Sequence, residues 1–119
     1  MIVAGFGFRS GVTLAALQDA LGRAGGADGV THLATLEAKA EGLGPLGLAL
    51  GLPVVGVADA ALRAQVTMTQ SGRVQALKGV GSVAEAVALA AAGPGARLRG
   101  SRAVSADGTA TAAIAEGLA

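Results

Sequence analysis

The stretch Gly79 to Leu89, GVGSVAEAVAL, constrains the fold more than any other part of the chain. Gly81 breaks whatever precedes it. Ser82 is a good helix N-cap, because its hydroxyl accepts from an orphan amide one turn in. Glu85 follows three residues later, so Ser82-x-x-Glu85 reads as a capping box. An Ala/Val/Leu helix then runs to Ala92, where Gly93-Pro94 stops it. The start of this helix is a Gly-rich turn with bare amides, a place where proteins hold anions. Most capped helices hold only their neighbours, so spacing alone assigns no ligand here.

Composition says what such a helix packs against. The chain has 119 residues, enough for one domain with a single core, taken here as residues 1–119. Hydrophobic residues are 52% of it, mostly Ala, Val and Leu, and they suit close packing of helix on sheet. Trp and Tyr are absent, and Phe6 and Phe8 are the only aromatic residues. That leaves little stacking surface for single-stranded nucleic acid. A net charge of +1 argues equally against bulk polyanion binding, so no nucleic-acid partner is expected. The charge is uneven: residues 1–60 hold three Lys/Arg against five Asp/Glu, and residues 61–119 hold six against three.

No cysteine is present, which removes disulfides, thiolate catalysis and thiolate metal sites. The single histidine, His32, builds no zinc or iron site without several converging carboxylates, so no metal and no cofactor are expected. Residues 42–58 are uncharged but hold five Gly and two Pro, and they fall short of the roughly 20 apolar residues of a span. Met1 leads directly into an apolar strand without a basic leader. The expectation is a cytoplasmic protein with no membrane partner.

Taken in order, Met1 to Ala4 reads as a short buried strand and Gly5 to Gly11 as a flexible turn. Val12 to Arg23 reads as an amphipathic helix with Leu14, Leu17 and Leu21 on one face. Thr31 to Leu36 is a second strand, Glu37 to Glu41 a helical turn interrupted at Gly42 to Pro45, and Leu46 to Leu50 a short helix. Val54 to Val57 is a β-branched, internal strand. Asp59 caps a helix over Ala60 to Gln65, and Thr67 to Ser71 is a hydroxyl-rich loop. Arg97 to Val104 alternates as a strand with a wet basic face. Asp107-Gly108 is a hairpin turn signal, and Thr109 to Ala115 returns as a strand. The fold class is therefore α/β: three layers, a mixed and mostly parallel sheet, helices on both faces, and a C-terminal β-hairpin.

The Gly5-x-Gly7 turn is an incomplete dinucleotide fingerprint, because Ser10 stands where a third glycine is needed. Arg9 carries more chemistry. It sits beyond the carboxyl end of the first strand, where open α/β sheets bind ligands, and it offers a planar fork for carboxylate or phosphate. The plain alternative is an arginine folded over the Phe8 ring. Lys39 serves as a point charge for an anion or pairs with Glu37 or Glu41. Thr35, Thr69 and Ser71 add hydroxyls or are simply strand and turn residues. His32 and Glu85 are the candidates for a catalytic base, although a packed histidine and a capping glutamate explain them as well.

Several segments together resemble the family formed by the C-terminal domain of the cobalamin-biosynthesis protein CbiG and its stand-alone relative CobE. Gly5-Phe6-Gly7-Phe8-Arg9 is similar to its opening G-x-G-x-R strand-turn. Leu33-Ala34-Thr35 through Lys39-Ala40 resembles its T-x-x-x-K segment, and Ser71-Gly72-Arg73-Val74 its S-x-x-V segment. Gly79 to Leu89 is the strongest match, and Ala110 to Ala115 resembles the closing strand. The resemblance implies an α/β domain acting in cobalamin biosynthesis on a precorrin or corrinoid intermediate. In two-part CbiG proteins it implies lactone opening of a cobalt-precorrin-5 with loss of acetaldehyde. The length of this chain fits the stand-alone type, so that reaction is not carried over.

The expected role is an accessory or carrier protein holding such a tetrapyrrole with Arg9, Thr35, Lys39, Ser71 and Ser82. The alternatives are a hydrolase using Glu85 or His32 as base, and a docking module for other enzymes of the pathway.

Overall fold

The computed structural model describes residues 1–59, 80–100 and 102–117, the side chains of residues 80–82 excepted. The elements run β1 (Ile2–Phe8), α1 (Leu14–Ala24), β2 (His32–Leu36), a 3-10 helix (Glu37–Leu43), α2 (Gly44–Leu50), β3 (Val54–Val57), α3 (Val80–Ala92), β4 (Arg97–Leu98), β5 (Ala103–Val104) and β6 (Ala110–Glu116). The sheet order is β3-β2-β1-β6-β4, with β5 also paired to β6. β1, β2 and β3 are parallel neighbours. β6 runs antiparallel to β1, β4 and β5. This is the three-layer α/β fold expected, with a mixed sheet that is parallel early and antiparallel where the chain ends.

β1 is longer than its first apolar run, and Gly5 to Phe8 is strand instead of turn. Period-two alternation explains it. Ala4, Phe6 and Phe8 face a core with Leu17, Leu21 and Leu46 from α1 and α2. Val3 faces the other side with Ala34, Val57 and Val87 of α3. Gly5 lies where α3 comes closest: a Cβ there would stand 2.7 Å from the Ala88 nitrogen and nearer still to the Ala84 carbonyl oxygen. The glycine marks a close approach of helix to strand instead of a bend.

β6 is buried on both faces from Ala110 to Ala115 and lies between β1 and β4. Small side chains permit this, since helices cover the sheet above and below. Its partner is split into β4 and β5, with Arg97, Arg99 and Arg102 exposed as the wet-face expectation has it.

Other local expectations are corrected. The helical turn after β2 is not interrupted at Gly42: 3-10 geometry continues to Leu43 and passes into α2, with Pro45 in the first turn, where a missing N–H does no harm. β3 stands at one end of the described sheet instead of inside it. α3 begins at Val80, so Ser82 lies in its first turn and not before it. Packing against β1 overrides the weak helix propensity of Gly81. The Ser82 side chain, and with it the expected capping box, lies outside the described residues; the Glu85 carboxylate pairs with Arg102 at 3.2 Å. The helix expected after Asp59 and the loop holding Thr69 and Ser71 lie outside the described residues. Among the described residues no helix is long and apolar enough to cross a membrane.

Candidate functional site

The β1–β2 ladder runs through Val3↔His32, Ala4↔Leu33 and Gly5↔Ala34, and then the strands part. The carbonyl groups of β1 that the ladder would have satisfied are met by side chains instead. Thr35 Oγ1 donates to the Phe6 carbonyl at 2.9 Å, and the Lys39 ammonium donates to the Phe8 carbonyl. On its other edge β1 stays paired with β6 as far as Phe8↔Ala110, and the Arg9 amide donates to the Thr109 carbonyl at 3.1 Å. One side of β1 is thus fixed while the other opens at the carboxyl end of a parallel pair, which is where α/β sheets admit ligands.

The opening has two parts. A crevice of about 50 Å³ lies between the strand ends, walled by Gly7, Thr35, Leu36 and Lys39 with Val83 of α3. Beside it a wider cleft of about 420 Å³ is lined by Phe8, Arg9, Ser10 and Gly11 from the end of β1, and by Lys39 and Glu41 from the 3-10 helix. Lys39 belongs to both. It is half-buried, and its Nζ stands 5.4 Å from the centroid of the Phe8 ring. Arg9 is exposed, and its guanidinium has no partner among the described residues. The alternative, an arginine folded over the Phe8 ring, is not what the structure holds: a lysine stands over that ring instead. Thr35 is 1% exposed and its hydroxyl proton is committed to Phe6.

Three of the residues singled out from sequence thus converge: Arg9, Thr35 and Lys39. Ser82 precedes Val83 of the crevice wall, and Ser71 lies outside the described residues. His32 is at the amino end of β2, away from the cleft, with Nδ1 2.7 Å from Thr31 Oγ1. Glu85 lines neither opening and is held by Arg102. The two base candidates are therefore not brought together with the cations. Among the described residues no cluster of His, Asp or Glu is suited to a metal ion.

Sequence reasoning missed Phe8, Glu41 and Gly42 as parts of the cleft. The sequence offers Glu41 only as a partner for Lys39, whereas in the structure both line the cleft. The sequence reads Gly42 as a helix breaker, whereas a Cβ at this position would stand 2.6 Å from the Phe8 ring.

Comparison with known proteins covers the same ground. The family described as cobalamin synthesis G C-terminus matches residues 2–115. The crystal structure of cobalamin biosynthesis protein chiG from Agrobacterium tumefaciens str. C58 is 39% identical, covers 100% of both chains and superposes with a TM-score of 0.75. CobE, a protein from the cobalamin (vitamin B12) biosynthetic pathway, is 34% identical over 99% of this chain and 91% of its own, again with a TM-score of 0.75. No curated protein matches the chain. The family match spans both strands that frame the cleft and the helix behind it, so the chain belongs to the cobalamin synthesis G C-terminal family and is a cobalamin-biosynthesis protein of the CobE/CbiG type.

Proposed function

We propose that the chain binds a precorrin or corrinoid intermediate at the carboxyl-end cleft, in an accessory or carrier role. One observation carries this reading: two cationic side chains from different crossovers, Arg9 after β1 and Lys39 after β2, line one cleft of about 420 Å³. That volume falls within the usual range of small-molecule sites, about 300–1,000 Å³. Tetrapyrrole intermediates carry carboxylates around their rim. A guanidinium without an internal partner offers such a group two parallel hydrogen bonds. The Lys39 ammonium spends one donor on the Phe8 carbonyl and keeps the rest for a ligand. Gly7 and Gly11 let a bulky ring come close to backbone. Thr35 holds the wall in place, and Ser82 and Ser71 are the remaining contacts this reading names.

The test is a titration of the purified protein with late precorrin and corrinoid intermediates, following ligand absorbance and mass together. The expected outcome is saturable binding with unchanged mass, weakened about tenfold or more in Arg9→Ala, the usual consequence of losing a charge-assisted bidentate contact. A change of ligand mass would replace the carrier reading with catalysis. Failure to bind any member of the series would leave docking to other pathway enzymes in its place.

A further inference from the structure

We infer that Phe8 is a positioning residue of this cleft and acts through Lys39; the inference rests on the binding reading above. Phe8 meets Lys39 twice. Its carbonyl accepts the ammonium, and its ring lies beneath the same nitrogen at 5.4 Å. A cation within about 6 Å of an aromatic centroid is held by the negative face of the ring.

The ring itself cannot drift. It is 5% exposed and belongs to the core with Leu17, Leu43 and Leu46. Gly42 closes over it so tightly that a Cβ at residue 42 would meet ring carbons at 2.6 and 2.8 Å. The strand carrying it is fixed on the far side by Phe8↔Ala110. A long, four-carbon cationic arm loses much freedom when it binds, and a second point of attachment removes that loss in advance. Phe8 therefore presents the Lys39 charge at the junction of crevice and cleft before any ligand arrives. An aliphatic residue at position 8 would fill the core but leave the ammonium with the carbonyl alone, one attachment in place of two.

The chain has two lysines, Lys39 and Lys78, which makes the ligand-free state directly readable. In a carbon–proton NMR correlation spectrum, the ε-methylene protons of Lys39 should be displaced upfield by the Phe8 ring current. The displacement should vanish in Phe8→Leu. Equivalent, unshifted signals for both lysines in the native protein would overturn the proposal without any ligand.

The second measurement uses uroporphyrin, a tetrapyrrole with carboxylates around its rim, in a double-mutant cycle. Phe8→Leu should weaken binding about threefold to tenfold when Lys39 is present and have almost no effect in Lys39→Met. Equal weakening in both backgrounds, or none in either, would show that Phe8 shapes the core and nothing more. Gly42→Ala displaces the same ring and repeats the cycle should Phe8→Leu fail to fold. Arg9→Ala separates the two ideas. Uroporphyrin binding that ignores Arg9→Ala counts against the site itself, whereas binding that needs Arg9 yet shows no Phe8–Lys39 coupling counts only against Phe8.

Discussion

The cleft after β1 and the loop joining β5 to β6 lie side by side, linked by the Arg9 amide and the Thr109 carbonyl. They use similar polar groups in opposite ways. In the loop, Asp107 Oδ1 accepts from Ser105 Oγ at 2.7 Å, from the Thr109 amide at 3.0 Å and from Thr109 Oγ1 at 2.7 Å. Asp19 of α1 accepts from the Ala106 amide at 2.7 Å and from Arg23 at 3.0 Å. Ser105, 4% exposed, accepts in turn from the Ala110 amide. In the cleft, the Arg9 and Glu41 side chains have no partner among the described residues, and the Lys39 ammonium has only Phe8. Polar groups that close on their own backbone hold a turn together. Polar groups left open at the end of a parallel strand pair are available to something else. The difference separates a part of the sheet that closes on itself from one left open to the proposed ligand, although both stand at the same end.

The comparison is most exposed to Arg9→Ala. The substitution should weaken the tetrapyrrole complex about tenfold or more while leaving the thermal midpoint where it was, because a side chain without internal partners contributes little to folding. Melting curves and a uroporphyrin titration on the same preparation settle it. A clear loss of Tm would mean that Arg9 is engaged in the folded chain and that the cleft is less open than its geometry indicates.

Asp107→Ala should give the reverse pattern, a lower Tm with unchanged binding. Hydrogen bonds from Ser105 and from the amide and hydroxyl of Thr109 hold the Asp107 carboxyl down at about 2, against an ordinary value of 3.8. A depressed carboxylate stabilises the fold fully above its unfolded value and loses that contribution as pH falls through its folded one. Native stability should therefore decline from about pH 4 toward about pH 2. Asp107→Ala should flatten that decline in part. It should not abolish it, because Asp19 is also lowered, first by the Ala106 amide and then by Arg23. A variant that melts with the native pH profile would remove Asp107 from the account of the hairpin.

Much of this contrast could be read from residues alone. Asp107-Gly108 announces a hairpin because both residues favour tight turns, and Gly108 indeed takes φ +76°. Arg9 and Lys39 were placed at the carboxyl ends of the first two strands by the order of strand and helix signals, and the family resemblance pointed to the same residues. The turn expected at Gly5 and the interruption expected at Gly42 misled for one reason. Glycine signals local freedom, but a distant element decides how it is used. Gly5 serves the backbone of α3, Gly42 serves the ring of Phe8, and Glu85 is claimed by Arg102 from seventeen positions on. The central place of β6 was equally out of reach, since nothing local in Ala110 to Glu116 says that its neighbour is the first strand of the chain. The splitting of β1 from β2 beyond Gly5↔Ala34 creates the cleft, and it too belongs to the tertiary structure only.

The finest test concerns Glu41, the one carboxylate among the described residues that lines the cleft beside both cations. In a site for a rim of carboxylates it is a repulsive element, and repulsion of this kind narrows what binds. Glu41→Gln should tighten uroporphyrin about twofold at low ionic strength, the scale expected for an exposed charge, with the gain fading as salt rises. The gain should be smaller for coproporphyrin, whose rim carries fewer carboxylates. Parallel titrations of both porphyrins across a salt series measure the difference. Weaker binding in Glu41→Gln would mean that this carboxylate accepts a hydrogen bond from the ligand. The cleft would then be matched to a rim on which a donor stands among the acids, and its polar groups would be open on both signs of charge, unlike the hairpin, where Asp107 Oδ1 and Ser105 Oγ close on the chain itself.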